Sequence, residues 1–110
     1  MTRRNNTAKW RLDQLVSNVV RLVQPQRVVL FGSHARGTAD AYSDVDLLVV
    51  MGNGAHRRRT AQYLYERLRH SGVPFDVVVA TPSDIQKHRN DSGLVYHAAI
   101  EEGRTLYVAK

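Results

Sequence analysis

Two apolar runs, Val28-Val29-Leu30-Phe31 and Leu47-Leu48-Val49-Val50, are joined by a polar stretch that opens with Gly32-Ser33 and closes with Asp44-Val45-Asp46. Runs of this length, rich in branched residues, fit buried strands. Only the twelve residues from Gly32 to Ser43 separate a strand over 27–31 from one over 44–51. That is barely enough for a parallel crossover, so the strands are expected to be antiparallel neighbours. The end of the first then lies beside the start of the second, and Gly32-Ser33 faces Asp44 and Asp46.

Side chains alternate across a strand, so Asp44 and Asp46 share one face while Val45 and Leu47 take the other. Two carboxylates about 7 Å apart along a strand can share a pair of hard cations. Gly32 lets the backbone approach a phosphate closely. Ser33 offers a hydroxyl and a main-chain N–H at the start of a short helical turn over 34–37. A turn suited to phosphate facing carboxylates suited to metal is the equipment of nucleotide chemistry.

The remaining chain places a third acid. Leu12, Leu15, Val16, Val19, Val20 and Val23 recur at helical spacing and predict an amphipathic helix over 12–24, ended by Pro25. Residues 1–8 are polar and expected to be frayed, and Trp10 is expected to pack ordinarily. Ala61, Leu64, Tyr65 and Leu68 mark a helix over 56–70, stopped at Ser71-Gly72. Its first turn holds Arg57-Arg58-Arg59 at the positive end of the helix dipole, unfavourable by roughly a few tenths of a kcal/mol each. The helix makes the next strand, 75–79, parallel to its predecessor by a right-handed crossover. Asp76 is then the second residue of that strand and can stand beside Asp44 and Asp46. Pro82-Ser83-Asp84 begins another helix. A further helix spans 94–102, with Leu94, Ala98, Val95 and Ile100 toward the core, and an edge strand spans 104–108. The fold class is α/β: a small mixed β-sheet of three to four strands with helices packed largely on one side.

Composition narrows the chemistry. The chain has 110 residues, read as one domain over 1–110, and 43% hydrophobic residues suit a packed core. No apolar run approaches the ~20 residues that cross a bilayer, and with no charged start followed by an apolar segment, secretion is not expected. Cysteine is absent, which excludes disulfides and thiolate metal sites and fits a cytoplasmic protein. The five histidines do not cluster at metal-ligand spacing; His34 alone lies in the glycine-serine loop, within reach of a nucleotide. No Ser–His–Asp order suggests acyl chemistry. With Asp44, Asp46 and Asp76 set aside, sixteen bases face seven acids, a balance of +9 that favours an acidic partner. Thirteen of those bases are Arg, which pairs bidentately with carboxylate and phosphate.

Gly32-Ser33, ten residues, then Asp44-Val45-Asp46 resembles the signature of the DNA polymerase beta-like nucleotidyltransferases. With Ala35-Arg36-Gly37 and Ser43-Asp44-Val45-Asp46-Leu47 the stretch resembles the minimal nucleotidyltransferases (MNT), many of which are antitoxin partners of HEPN-domain toxins. The resemblance spans about residues 12 to 108. It implies a nucleotidyltransferase fold, and Asp76 sits where the family carries its third acid. It implies transfer of AMP from ATP to a hydroxyl, a tyrosine of a HEPN toxin, within a hetero-oligomer. Gly32 and Ser33 are expected to hold the triphosphate. Asp44 and Asp46 would bridge two Mg²⁺ ions, with Mn²⁺ as a substitute, and Asp76 would complete the ion on the acceptor side. Arg36 either touches phosphate or braces the loop. Three alternatives stand beside this reading: a non-catalytic antitoxin that masks its partner, an enzyme modifying a small molecule with a second subunit, and RNA-directed nucleotide addition. Nucleic acid is the less favoured partner, and no membrane association is expected.

Overall fold

The computed structural model describes residues 2–40, 42–88, 90–91 and 95–110, with backbone alone for 2–8. Among these residues the chain runs α1 (Thr2–Val23), β1 (Arg27–Phe31), α2 (Ser33–Arg36), β2 (Val45–Val50), α3 (Arg57–Leu68), β3 (Phe75–Ala80), α4 (Pro82–His88), α5 (Val95–Glu102) and β4 (Arg104–Val108). The four strands form one mixed sheet in the order β3-β2-β1-β4. As expected from the short link, β1 and β2 are antiparallel, and β2 and β3, joined through α3, are parallel.

The centres of β1, β2 and β3 are apolar because both faces of the sheet are covered there. Val45, Leu47 and Val49 of β2 pack with Leu15 and Val19 of α1 and Leu64 and Leu68 of α3. Leu48 and Val50 face the other way, against Ala99 of α5, with Ile85 of α4 at the margin. The two long helices thus share one face, and the short C-terminal helices cover part of the second. Within α5 it is Ala99 that is buried; Ala98 and Ile100 are half-buried, Val95 is exposed, and Leu94 lies outside the described residues. A one-residue phase error in reading the stripe accounts for the difference, because eight residues are too few to define a helical period well.

Helix α1 begins at Thr2, not near residue 12, so the backbone of 2–8, expected to be frayed, is helical. No Gly or Pro interrupts residues 2–23, so nothing breaks the helix once the stripe Leu15-Val16-Val19 anchors it. It stops where Gln24 turns to a φ of 49° and Pro25 follows. Trp10 is 64% exposed and does not join the core. In β4 an irregularity at Val28/Val29 of β1 leaves Leu106 without a paired position. Leu106 and Tyr107 consequently both pack on the α1 side, which strict alternation would forbid. No described helix is long and apolar enough to cross a membrane.

Candidate active site

The site starts from a backbone constraint. Phe31, the last residue of β1, is the antiparallel partner of Asp46. Gly32 therefore turns away beside the Asp46 side chain, with φ 74° and ψ −155°. Its carbonyl accepts the N–H groups of Ala35 and Arg36, both at 3.1 Å, which starts α2. A Cβ on Gly32 would overlap Asp46 Oδ2 and stand 3.1 Å from Asp46 Cγ. Glycine is required twice: by a φ that side chains disfavour and by a carboxylate occupying the space a side chain would need. The same bare glycine that the sequence offers to a phosphate also leaves room for the Asp46 carboxylate.

The loop that follows is pinned by short-range bonds. Gly37 closes α2 in the left-handed region. The Ser33 carbonyl accepts Thr38 N–H at 3.0 Å. His34 Nε2 lies 3.1 Å from the Ser43 carbonyl, tying the front of the loop to its end. Asp40 Oδ1 accepts Tyr42 N–H at 2.8 Å and the Ser43 hydroxyl at 3.2 Å. These bonds, Tyr42 N–H first, hold the Asp40 carboxyl below its ordinary range. The chain is thereby delivered to Asp44, which precedes β2 by one residue.

Asp46 and Asp76 are direct partners across the parallel β2–β3 ladder and so share a sheet face. Asp46 is half-buried, whereas Asp44 and Asp76 are exposed. The Asp46 carboxyl is pushed above its ordinary range, first by burial, then by the negative charges of Asp76 and Asp44; His34 and Arg36 act in the opposite sense. Of the three acids expected from the sequence, Asp46 thus feels the charges of the other two. Among the described residues no three Asp, Glu or His side chains form a ready-made metal cluster. The donors nonetheless suit a hard divalent cation: they are all carboxylate oxygens, and the repulsion on Asp46 is what a bound cation relieves.

Arg36 reaches across to α5, with Nη1 3.5 Å from Glu102 Oε1 and both side chains about half exposed. Such a surface pair contributes little to stability. The Arg57-Arg58-Arg59 cluster stands beyond the opposite end of β2 from the acids. Its dipole conflict is eased locally: His56 Nδ1 accepts Arg59 N–H at 3.2 Å, and Arg57 pairs with Asp84 at 3.5 Å.

Reading by periodicity missed Tyr65. Its place in the stripe with Leu64 and Leu68 suggested a core residue, but it is 39% exposed. Its ring stacks on Phe75 at 5.4 Å and its hydroxyl reaches Asp76. A polar tip at the end of an apolar stripe was the available signal. Glu102 and the tie from His34 to Ser43 join residues 66 and 9 positions apart, and no spacing rule in the sequence indicates them.

A glycine turn backed onto a carboxylate, with two further acids at the same end of a mixed sheet, defines the molecule as an α/β domain of the nucleotide-transferring class. The nucleotidyltransferase domain profile matches residues 12–105, and the chain belongs to that family. A Methanocaldococcus jannaschii protein named as a candidate protein adenylyltransferase is 64% identical over 63 residues, covering 53% of this chain; the chain spans only 43% of that relative's length. A candidate nucleotidyltransferase from Sulfolobus solfataricus superposes with a TM-score of 0.60 at 19% identity, over 89% of this chain and 78% of that one. A toxin–antitoxin structure with AMP-PNP gives a TM-score of 0.51 at 22% identity, over 88% and 73% of the two chains. The MntA-HpeT toxin–antitoxin, in a mutant form, gives 0.52 at 20% identity, over 86% and 72%.

Proposed function

We propose that this chain transfers AMP from ATP to a hydroxyl of a partner protein, a tyrosine of a HEPN-type toxin, and so acts as an antitoxin in the cytoplasm. The observation that carries this is the placement of Gly32 against Asp46, with Asp76 as the strand partner of Asp46. A protein as acceptor is supported by the Methanocaldococcus relative's name. A toxin as that protein is supported by the toxin–antitoxin neighbours, one of them holding an ATP analogue.

In this reading the acceptor oxygen attacks the α-phosphorus of ATP. The new P–O bond forms as the bond to the bridging oxygen breaks, and pyrophosphate leaves. Gly32 and Ser33 hold the triphosphate through the α2 turn. Asp44, Asp46 and Asp76 would hold two Mg²⁺ ions, which Mn²⁺ could replace. When bound, such ions stabilise charge on the attacking and leaving oxygens. In this reading Asp76, exposed on the edge strand, lies on the acceptor side, and its carboxylate would take the proton of the attacking hydroxyl. Arg36 lowers the cost of gathered negative charge, as it already does for Asp46.

The test is incubation with ATP, Mg²⁺ and the candidate toxin, followed by intact mass measurement. A gain of one or more AMP groups, lost in the Asp44→Ala/Asp46→Ala variant, is expected. If that variant protects cells as well as the wild type at equal abundance and the toxin's mass never changes, neutralisation is by masking. If neither form binds or protects against the toxin, a small-molecule or RNA acceptor takes its place.

A further inference from the structure

Asp76 stands exposed at the start of β3, an edge strand, next to two like charges. A carboxylate so placed would swing away from Asp46 and Asp44 unless something held it. The group that does so is Tyr65, from the helix on the opposite face of the sheet. Its ring lies flat against Phe75, 15° from parallel, and wraps over the edge of β3. The phenol oxygen accepts the edge N–H of Val77 at 2.9 Å. It faces two acceptors, Asp76 Oδ1 at 3.1 Å and the Val77 carbonyl at 3.4 Å. A phenol has one proton, and the shorter contact to a charged oxygen takes it. Accepting from the backbone and donating to the carboxylate, the hydroxyl has a defined direction.

We propose that Tyr65 is the positioning residue of the third carboxylate: by fixing Asp76 Oδ1 it sets the orientation in which Asp76 meets a divalent cation. This rests on the metal-dependent reading above, and the experiment separates the two. Mn²⁺ binding is measured by electron paramagnetic resonance of the free ion, in the presence of a non-hydrolysable ATP analogue. Tyr65→Phe keeps the ring on Phe75 and removes the hydroxyl, which is both the donor to Asp76 and the acceptor of the Val77 N–H. It should weaken Mn²⁺ binding by about tenfold, the lower end of the range for losing a hydrogen bond to a metal ligand. In an Asp76→Asn background the same substitution should have no further effect, because the two side chains act as one unit. Para-aminophenylalanine at position 65 restores an N–H donor and should recover affinity. If Tyr65→Phe melts far below the wild type, para-aminophenylalanine is compared instead with para-methylphenylalanine, of similar size and without the donor. Equal Mn²⁺ affinity with and without the donor overturns the role of Tyr65 while leaving the metal site standing. An undiminished effect of Tyr65→Phe in the Asp76→Asn background overturns it too. If the wild type itself binds no Mn²⁺ with nucleotide, the metal-dependent reading falls first and takes this role with it.

Discussion

Replacing Gly32 by alanine tests the junction of fold and site most directly. At φ 74° and ψ −155° the backbone is in a region almost restricted to glycine, which costs an alanine roughly 1–3 kcal/mol. The added Cβ also overlaps Asp46 Oδ2, and relieving that overlap by moving the side chain or backbone costs roughly another 1–3 kcal/mol. The sum, about 2–6 kcal/mol, is a large share of the roughly 5–15 kcal/mol that holds a domain folded. Gly37 supplies the control. It has a φ of 78°, but among the described residues nothing beyond its chain neighbours lies within 4 Å of the place its Cβ would take, so Gly37→Ala should cost only the left-handed backbone conformation, roughly 1–2 kcal/mol. Urea unfolding measures both. The contact itself is isolated in an Asp46→Ala background, where the carboxylate is gone and Gly32→Ala should lose about 1–3 kcal/mol of its cost. Equal costs for the two glycine variants, or no coupling between positions 32 and 46, would mean that the Asp46 carboxylate does not hold the space beside Gly32.

Asp46→Asn removes a carboxyl held above its ordinary value. Protonation of Asp46 favours the folded state, so its stabilising contribution is complete below the unfolded value near 3.8 and is lost as pH rises through the raised folded value. The variant should therefore gain stability relative to the wild type between acidic and neutral pH, by denaturant midpoints, while losing transfer. Asp84 has the opposite sign: Thr81 N–H and the Thr81 hydroxyl, both 2.9 Å from Asp84 Oδ2, hold its carboxyl low. That capping contribution is present above the unfolded value near 3.8 and lost as pH falls through the folded one. Asp84→Ala should cost about 1 kcal/mol at neutral pH, seen as a lower melting temperature. Arg36→Ala and Glu102→Ala should each change stability by less than about 1 kcal/mol. If Arg36 touches phosphate, only Arg36→Ala weakens ATP binding in calorimetry; equal weakening by both would make Arg36 a brace.

The local chemistry of Gly32, Asp44, Asp46 and Asp76 was legible because strand alternation and a short link are constraints the chain carries in its own spacing. Apolar runs bounded by glycine define β1, β2 and their antiparallel pairing, and the helix between β2 and β3 dictates the parallel step that lines Asp76 up with Asp46. What the spacing could not supply is contact between residues distant in sequence. Tyr65 and Asp76 meet because a helix on one face of the sheet sends a ring around an open edge. Arg36 meets Glu102 because α5 returns to the second face. Periodicity reports which side of an element is apolar, not what its polar tip will touch. Trp10 and the buried Ala99 show the same limit: a hydrophobic side chain is buried only where tertiary packing brings a partner to it. The raised Asp46 carboxyl is likewise a tertiary property, since burial and two other strand-end charges must converge before repulsion is felt.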